Sequence, residues 1–382
     1  MNGRPHALRR LALADFRNYA ALTLELPGGA IVLTGANGAG KTNILEAVSL
    51  LVPGRGLRQA GLEDLTREKG AGGWAVAGRI EAEGGLLAIG TGLTAGSQAT
   101  SREVRIDSEP ASSVNALGEV FSAIWLTPQM DGVLSGPPGD RRRFFDRLVL
   151  AGDPAHGRRY AAFERAMRQR NRALEDRRPD SRLLDAIEAE MAAHGVAVAA
   201  ARIAALDALC AEIAGAGRDA SPFPWADLSL AGPVEEAVAA SGATAAEDGY
   251  RAALARGRLA DARAGRTLEG PHRSDLLVRH GPKDVEARRA STGEQKALLV
   301  GLMMAHAGLI ARRQGGRAPV LLFDEIAAHL DDLRRQALFD AISDLGVQAF
   351  MTGTDMPLFS ALTGRAHFLE VVAGSVSVVP QH

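Results

Sequence analysis

Across residues 8–26, apolar and polar positions alternate on either side of Phe16-Arg17-Asn18-Tyr19, which predicts a pair of strands. Residues 30–34, four apolar residues and a threonine, read as a short buried strand, and residues 43–51 change to helical spacing. Further strands are expected in 74–89 and 122–126. From Asp140 onward the period is helical: Tyr160, Phe163, Met167 and Leu174 share one stripe, continued by Leu184, Ile187, Met191, Val198, Ile203, Leu206 and Ile213. Gly215, Gly217, Pro222 and Pro224 break the helical run, and 257–265 is a second expected boundary. Beyond it, Leu276-Leu277-Val278, 320–323 and 347–352 read as strands, with a helix expected over 295–307.

Three short segments place chemistry on these elements. Gly35-Ala36-Asn37-Gly38-Ala39-Gly40-Lys41-Thr42 fits G-x-x-x-x-G-K-[ST] between a strand and a helix. In such a loop backbone amides wrap phosphates, while the Lys and Thr serve the β/γ-phosphates and Mg²⁺. Val320-Leu321-Leu322-Phe323 ends in Asp324-Glu325, a carboxylate pair suited to hold Mg²⁺ (Asp324) and to polarise water (Glu325). The same pair could instead cap the next helix. Ser291-Thr292-Gly293-Glu294-Gln295 is a capping box and also resembles the ABC-type signature, whose Ser and Gly serve the nucleotide of a second subunit. Order and spacing predict an α/β fold: an ABC-type, SMC-like P-loop ATPase head with an inserted short α-helical arm and no long coiled coil. The head is expected in 1–135 and 261–382, and the arm in 136–260. Asp331 falls at the D-loop position. Gln129, after Pro128, stands where a Q-loop glutamine would join the Mg²⁺ site, although a turn explains it equally well. No His follows the 347–352 strand to act as a switch, which leaves Thr354 as the sensor to consider.

Composition narrows this picture. Of 44 Lys plus Arg only Lys41, Lys69, Lys283 and Lys296 are lysines. A compact ammonium at Lys41 fits between phosphates where a planar guanidinium does not. Net charge is −1, so no global pull towards nucleic acid exists, yet residues 141–182 hold 13 Arg against 6 acids. Such a cluster suits a polyanion, or else is a solvated helix face. Aromatics are only 4%, which argues against base stacking. A single Cys210 excludes an internal disulfide and a Cys-x-x-Cys zinc site and suits a reducing compartment. With neither a signal-peptide core nor a membrane-length apolar stretch, a cytoplasmic protein is expected.

Several strings, running nearly end to end, resemble the RecF family of bacterial recombination and replication-repair ATPases. They are Asp15-Phe16-Arg17-Asn18-Tyr19, the phosphate loop through Asn43, Gly136-Pro137 with Arg141-Arg142, Gln169-Arg170-Asn171, Gly270-Pro271-His272-Arg273, the 291–296 segment and 322–331. The resemblance adds Asn43 and Arg17 to the nucleotide-binding set. It implies a weak DNA-stimulated ATPase that uses ATP and Mg²⁺. It also implies an ATP-dependent homodimer, with Ser291 and Gly293 acting in trans, on duplex and single-stranded DNA at gaps and junctions. RecR and RecO are the implied partners, with RecA loading and the SOS response as the setting. Arg141, Arg142, Arg143, Arg168, Arg170 and Arg172 are the arginines then expected on DNA. Two alternatives share the ATP motifs: the ATP-hydrolysing subunit of a membrane transporter, and a DNA-bridging chromosome-maintenance ATPase.

Overall fold

The computed structural model describes residues 7–82, 84–96, 101–176, 179–217 and 221–380. The first half contains strands β1 (Leu8–Phe16), β2 (Tyr19–Glu25) and β3 (Ala30–Thr34), then helix α1 (Lys41–Leu50). Strands β4 (Trp74–Ala82), β5 (Gly85–Leu93), β6 (Glu103–Ile106) and β7 (Glu109–Pro110) follow, with the short helix α2 (Leu117–Val120) and β8 (Ala123–Leu126). Helices α3 (Pro138–Gly152), α4 (Ala155–Leu174) and α5 (Ser181–Gly215) come next, then β9 (Ala226–Ala231) and α6 (Pro233–Ala264). The remainder is β10 (Asp275–His280), β11 (Val285–Glu286), α7 (Thr292–Arg313), β12 (Val320–Phe323), α8 (Asp332–Leu345), β13 (Ala349–Thr352), β14 (Ala366–Val372) and β15 (Ser375–Val378).

These elements form two compact units. One comprises Met1–Asp131, Asp219–Pro224 and Ser291–His382; the other comprises Gly132–Arg218 and Trp225–Ala290. The first unit, the head, has two six-stranded sheets. An antiparallel sheet runs β2-β1-β4-β5-β6-β7, and β1 and β2 pair around Phe16↔Tyr19 as their alternation predicts. The second sheet runs β15-β14-β3-β13-β12-β8, with all pairings parallel except that of β15. Strands β3, β8, β12 and β13 are buried at every position, which is why they read as apolar runs, closed by a buried threonine in β3 and β13. Leu33, Ile44, Val48, Trp74 and Val76 belong to one core shared by α1 and both sheets. In a parallel sheet the ligand end is the carboxyl end of the strands, and β13 lies between the two strands that carry the motifs.

The second unit, the arm, packs Phe163 and Ala166 of α4, Met191 and Val196 of α5, and Tyr250 and Leu254 of α6 into its own core. Its longest helix, α5, has 35 residues, and α6 is interrupted by non-helical geometry at Gly242. Three expectations change here. Leu276-Leu277-Val278 does not restart the head: β10 is the centre of a three-stranded sheet, β11-β10-β9, within the arm. The arm therefore runs to Ala290 instead of ending at residue 260. An apolar run specifies a strand and its buried face but not the sheet it joins. Gly257 is not a boundary either, because α6 continues through it and stops at Gly265, whose φ of 64° is the left-handed geometry that ends a helix. The breakers at 215–224 do mark a boundary, and Phe223 and Pro224 pack beside Gly301 of the head. Arg177 and Arg178, counted in the arginine cluster, and Met1 to His6 lie outside the described residues.

Candidate nucleotide site and the arginines of the arm

The phosphate loop joins β3 to α1, with Ala36, Asn37 and Gly38 exposed at its tip. Its shape demands glycine at two positions. Gly35 has φ 138°, and a Cβ there would lie 2.2 Å from the Val371 carbonyl oxygen. Gly40 has φ 117°, and a Cβ there would lie 2.6 Å from both Asn18 Nδ2 and Tyr19 Oη. Those contacts give Phe16-Arg17-Asn18-Tyr19 a structural reason. Asn18 Nδ2 donates to the Ala39 carbonyl at 3.0 Å, and buried Tyr19 donates its hydroxyl to the Gly40 carbonyl at 3.1 Å. Asn43 Nδ2 donates to Asn18 Oδ1 at 2.7 Å. Arg17 grips the buried Glu46 through Nε and Nη2, both at 2.8 Å, and donates Nη1 to the Asp64 carbonyl. Arg58 shares Glu46 and also reaches Asn43 Oδ1. Arg17 is thus fixed at α1, and the loop is met by Asn18 and Tyr19, which follow it.

Lys41 is buried, and its Nζ donates to the Gly35 carbonyl at 2.7 Å and the Ala36 carbonyl at 3.1 Å. Glu325 Oε1 lies 3.9 Å from Nζ. Thr42 Oγ1 donates to Asp324, 2.8 Å from Oδ1 and 3.1 Å from Oδ2, so residues 282 positions apart meet at one carboxylate. A hydroxyl and a carboxylate are hard oxygen donors of the kind Mg²⁺ takes, usually alongside phosphates and water. This donor set fits that ion.

A residue that sequence reasoning missed completes the group. Thr352, fully buried at the end of β13, donates its hydroxyl to Asp324 Oδ1 at 2.7 Å and accepts the Glu325 backbone N–H at 2.9 Å. Glu325 has φ 54°, a left-handed conformation that is costly for a non-glycine residue, and this N–H is its tether. The signal lay in the sequence: Thr352 is the polar residue that closes the apolar run Ala349-Phe350-Met351 at the carboxyl end of the strand. Thr354, weighed instead as a sensor, is exposed. Gln129 is exposed in the turn after β8, whose Leu126 carbonyl accepts the Asp324 N–H at 2.9 Å.

The signature segment forms the expected box. The Glu294 N–H donates to Ser291 Oγ at 3.4 Å and the Ser291 N–H donates to Glu294 Oε2 at 3.0 Å, opening α7. Ser291, Thr292 and Gly293 are exposed, and a Cβ at Gly293 would meet nothing within 4 Å. Lys296 pairs with Asp131 at 3.0 Å. Asp331 caps α8, accepting the Arg334 N–H at 2.8 Å.

The six arginines expected on DNA separate into two groups. Arg170 is fully buried, 2.8 Å from Glu188 and 2.6 Å from Asp261, and it also donates to Thr267 and the Leu254 carbonyl. It holds the arm together and is not available to DNA, which corrects that expectation. Arg141 is likewise engaged, bidentate on Asp275 at 2.8 and 2.7 Å, and Arg142 donates to the Ser274 carbonyl at 2.6 Å. Arg143, Arg168 and Arg172 are exposed; Arg143 pairs with Asp140, and Arg168 lies 3.6 Å from Glu164. A second buried arginine, Arg202, spans Asp146 and Glu235 at 2.8 and 2.9 Å. Burial alone would raise the Asp146 carboxyl, but Arg202 and His156 outweigh it and bring it down to about 2.

Among the described residues no helix is long and apolar enough to cross a membrane. The model of the RecF/RecN/SMC N terminal domain family matches residues 7–370. The chain is 54% identical over 369 residues to the DNA replication and repair protein RecF of Mesorhizobium japonicum, covering 97% of each. It is 53% identical over 375 residues to the protein of the same name from Rhizobium meliloti, covering 98% of this chain and 100% of that one. A solved structure of the recombination mediator protein RecF–ATP in the RecFOR pathway superposes with a TM-score of 0.84 at 21% identity, over 98% of this chain and 97% of that one, and so shares the fold. With its site geometry, its fold and relatives alike over nearly their whole length, this chain belongs to the RecF family of DNA replication and repair proteins.

Proposed function

We propose that the chain is a DNA-stimulated ATPase that closes into a homodimer around two ATP molecules on DNA at gaps and single-strand/double-strand junctions. There it works with RecR and RecO in loading RecA, in the cytoplasm. The observation that carries the reading is the convergence of Lys41, Thr42, Asp324, Glu325 and Thr352 at the carboxyl ends of parallel strands. Family membership supplies the DNA setting.

Gly35 through Asn43, with Arg17 on the flank, form the nucleotide cradle. Lys41 exchanges the two loop carbonyls it now holds for phosphate oxygens. Thr42 and Asp324, with Gln129 close to the same sheet end, hold Mg²⁺, which supplies charge neutralisation on the phosphates. Glu325 takes a proton from the attacking water as the bond to the γ-phosphorus forms and the bond to ADP breaks, giving ADP and phosphate. Ser291 and Gly293, open at the start of α7, meet the γ-phosphate of the other subunit, and Asp331 serves as the D-loop residue.

Hydrolysis measured on gapped, duplex and single-stranded DNA tests this directly: the parent is stimulated by DNA and Lys41→Ala is inactive. Light scattering with ATP then separates association from chemistry. Ser291→Arg binds ATP and stays monomeric, whereas Glu325→Gln binds ATP and persists as a dimer because its amide cannot accept the proton. Dimerisation of Ser291→Arg equal to the parent sinks the trans arrangement.

A further inference from the structure

Helix α4 has two kinds of arginine on opposite sides. Arg170 points into the arm core with Phe163 and Ala166, while Arg158, Arg165, Arg168 and Arg172 are exposed. At about 100° per residue these four fall within roughly 80° of arc, and they extend about 21 Å along the axis. Glu164, partly buried at the margin and near Arg168, is the one acid within α4 itself; Glu175 and Asp176 bound the stripe past the helix end. Among the described residues Arg165 and Arg172 make no ion pair.

The other long helices of the arm differ in sign. The exposed charges of α5 are Arg182, Asp185, Glu190 and Asp207, and those of α6 mix Glu236, Glu247 and Asp248 with Arg251, Arg256 and Arg263. Uniform positive charge is a property of α4 alone among the three. Its exposed face bears no aromatic ring, because Tyr160 and Phe163 turn towards the opposite side. A straight row of guanidinium groups without a stacking platform suits a regular phosphate backbone and not splayed bases.

We infer that the outer face of α4, through Arg158, Arg165, Arg168 and Arg172, is the surface by which the arm holds the phosphate backbone of duplex DNA, independently of base sequence. The inference rests on the DNA reading above and replaces Arg141, Arg142, Arg143 and Arg170 with Arg158 and Arg165 as the arm's contacts.

The test is fluorescence anisotropy of the full-length chain on a labelled duplex, with and without ATP, titrated between about 50 and 200 mM salt. Each phosphate contact contributes about 0.9 to the slope of log K against log[salt]. The variant with all four changed to Gln should have a slope shallower by about 3.6 and an affinity lower by about 10²-fold. A thermal melt checks its fold, and Arg165→Gln with Arg172→Gln alone should lower the slope by about 2. The control, Arg251, Arg256 and Arg263 all changed to Gln on α6, should keep the parent slope. If the parent shows no salt-dependent duplex binding, the DNA reading falls and this surface with it. If the parent binds and the α4 variants match its affinity and slope, the DNA reading stands and the surface is overturned.

Discussion

Lys41 in the head and Arg170 in the arm are both buried cations, but they are satisfied in different ways. Lys41 rests on two backbone carbonyls, with a carboxylate only at 3.9 Å. Arg170 is clasped by two carboxylates at 2.8 and 2.6 Å, a hydroxyl and a carbonyl. Asp324 repeats the head's pattern, since its partners are the hydroxyls of Thr42 and Thr352 and not a cation. Neutral partners hold a buried charge in place and release it at small cost when a ligand of opposite charge arrives; a full ion pair does not. For Lys41, Asp324 and Arg170, incomplete neutralisation goes with the ligand site and complete neutralisation with the scaffold; Arg102, buried on the Leu50, Val52 and Gly54 carbonyls, shows that neutral partners alone do not make a site.

Arg170→Ala breaks or sharpens this distinction with the largest expected effect. It leaves Glu188 and Asp261 buried without their shared cation and should lower stability by about 3–5 kcal/mol in denaturant unfolding. Arg258 still reaches Glu188, which places the loss towards the lower end of that range. Lys41→Ala should lower stability by less than about 2 kcal/mol while removing ATP binding. Equal destabilisation by the two would show that the manner of neutralisation says nothing about role.

Acid unfolding gives a somewhat smaller effect, confined to the arm. Asp146, held at about 2 beside Arg202, has a folded-state pKa below the unfolded value of 3.8. Its contribution is therefore fully present above pH 4 and is lost as the pH falls through about 2, a change of about 2 kcal/mol. Stability measured from pH 5 to pH 2 should fall in the parent and fall less steeply in Asp146→Asn, which starts from a lower value. Parallel pH profiles would remove Asp146 as the titrating group.

The same contrast explains what was readable in advance. The phosphate loop, the Asp324-Glu325 pair and the Ser291 box each lie within a few consecutive residues, so local spacing specifies their chemistry, and the elements around them formed as expected. Arg168, Arg170 and Arg172 are indistinguishable in composition, yet a helix turns successive residues by about 100° and sends the middle one into the core. Phe163 and Leu174 mark the apolar face of α4, and Arg170 lies on that face, so the stripe extended to every residue type includes it. Leu276-Leu277-Val278 has the pattern of a strand, but the pattern does not carry its sheet, because membership depends on pairing with β9, a distant segment. Thr352 was missed for a related reason: its partners at 324 and 325 come from the neighbouring strand, and only the strand order brings them together.

Thr352→Val tests the head's side of the comparison with the smallest change. Valine keeps the branched shape and removes the hydroxyl, so packing at the end of β13 is preserved while Asp324 loses one donor and the Glu325 N–H loses its acceptor. The stability loss should be about 1–2 kcal/mol. ATP affinity should change by less than about twofold, because Lys41 and the loop amides are untouched, whereas kcat should fall about tenfold as Glu325 loses its tether at φ 54°, the equivalent of about 1.4 kcal/mol. Thr352→Ser, which restores the hydroxyl and gives up a methyl group, should recover most of the rate though not all of the stability. That split separates a positioning role from a packing one: if Ser fails to rescue kcat, or if Val hydrolyses ATP as fast as the parent, the hydroxyl bridge between Asp324 and Glu325 is only a feature of the buried strand end.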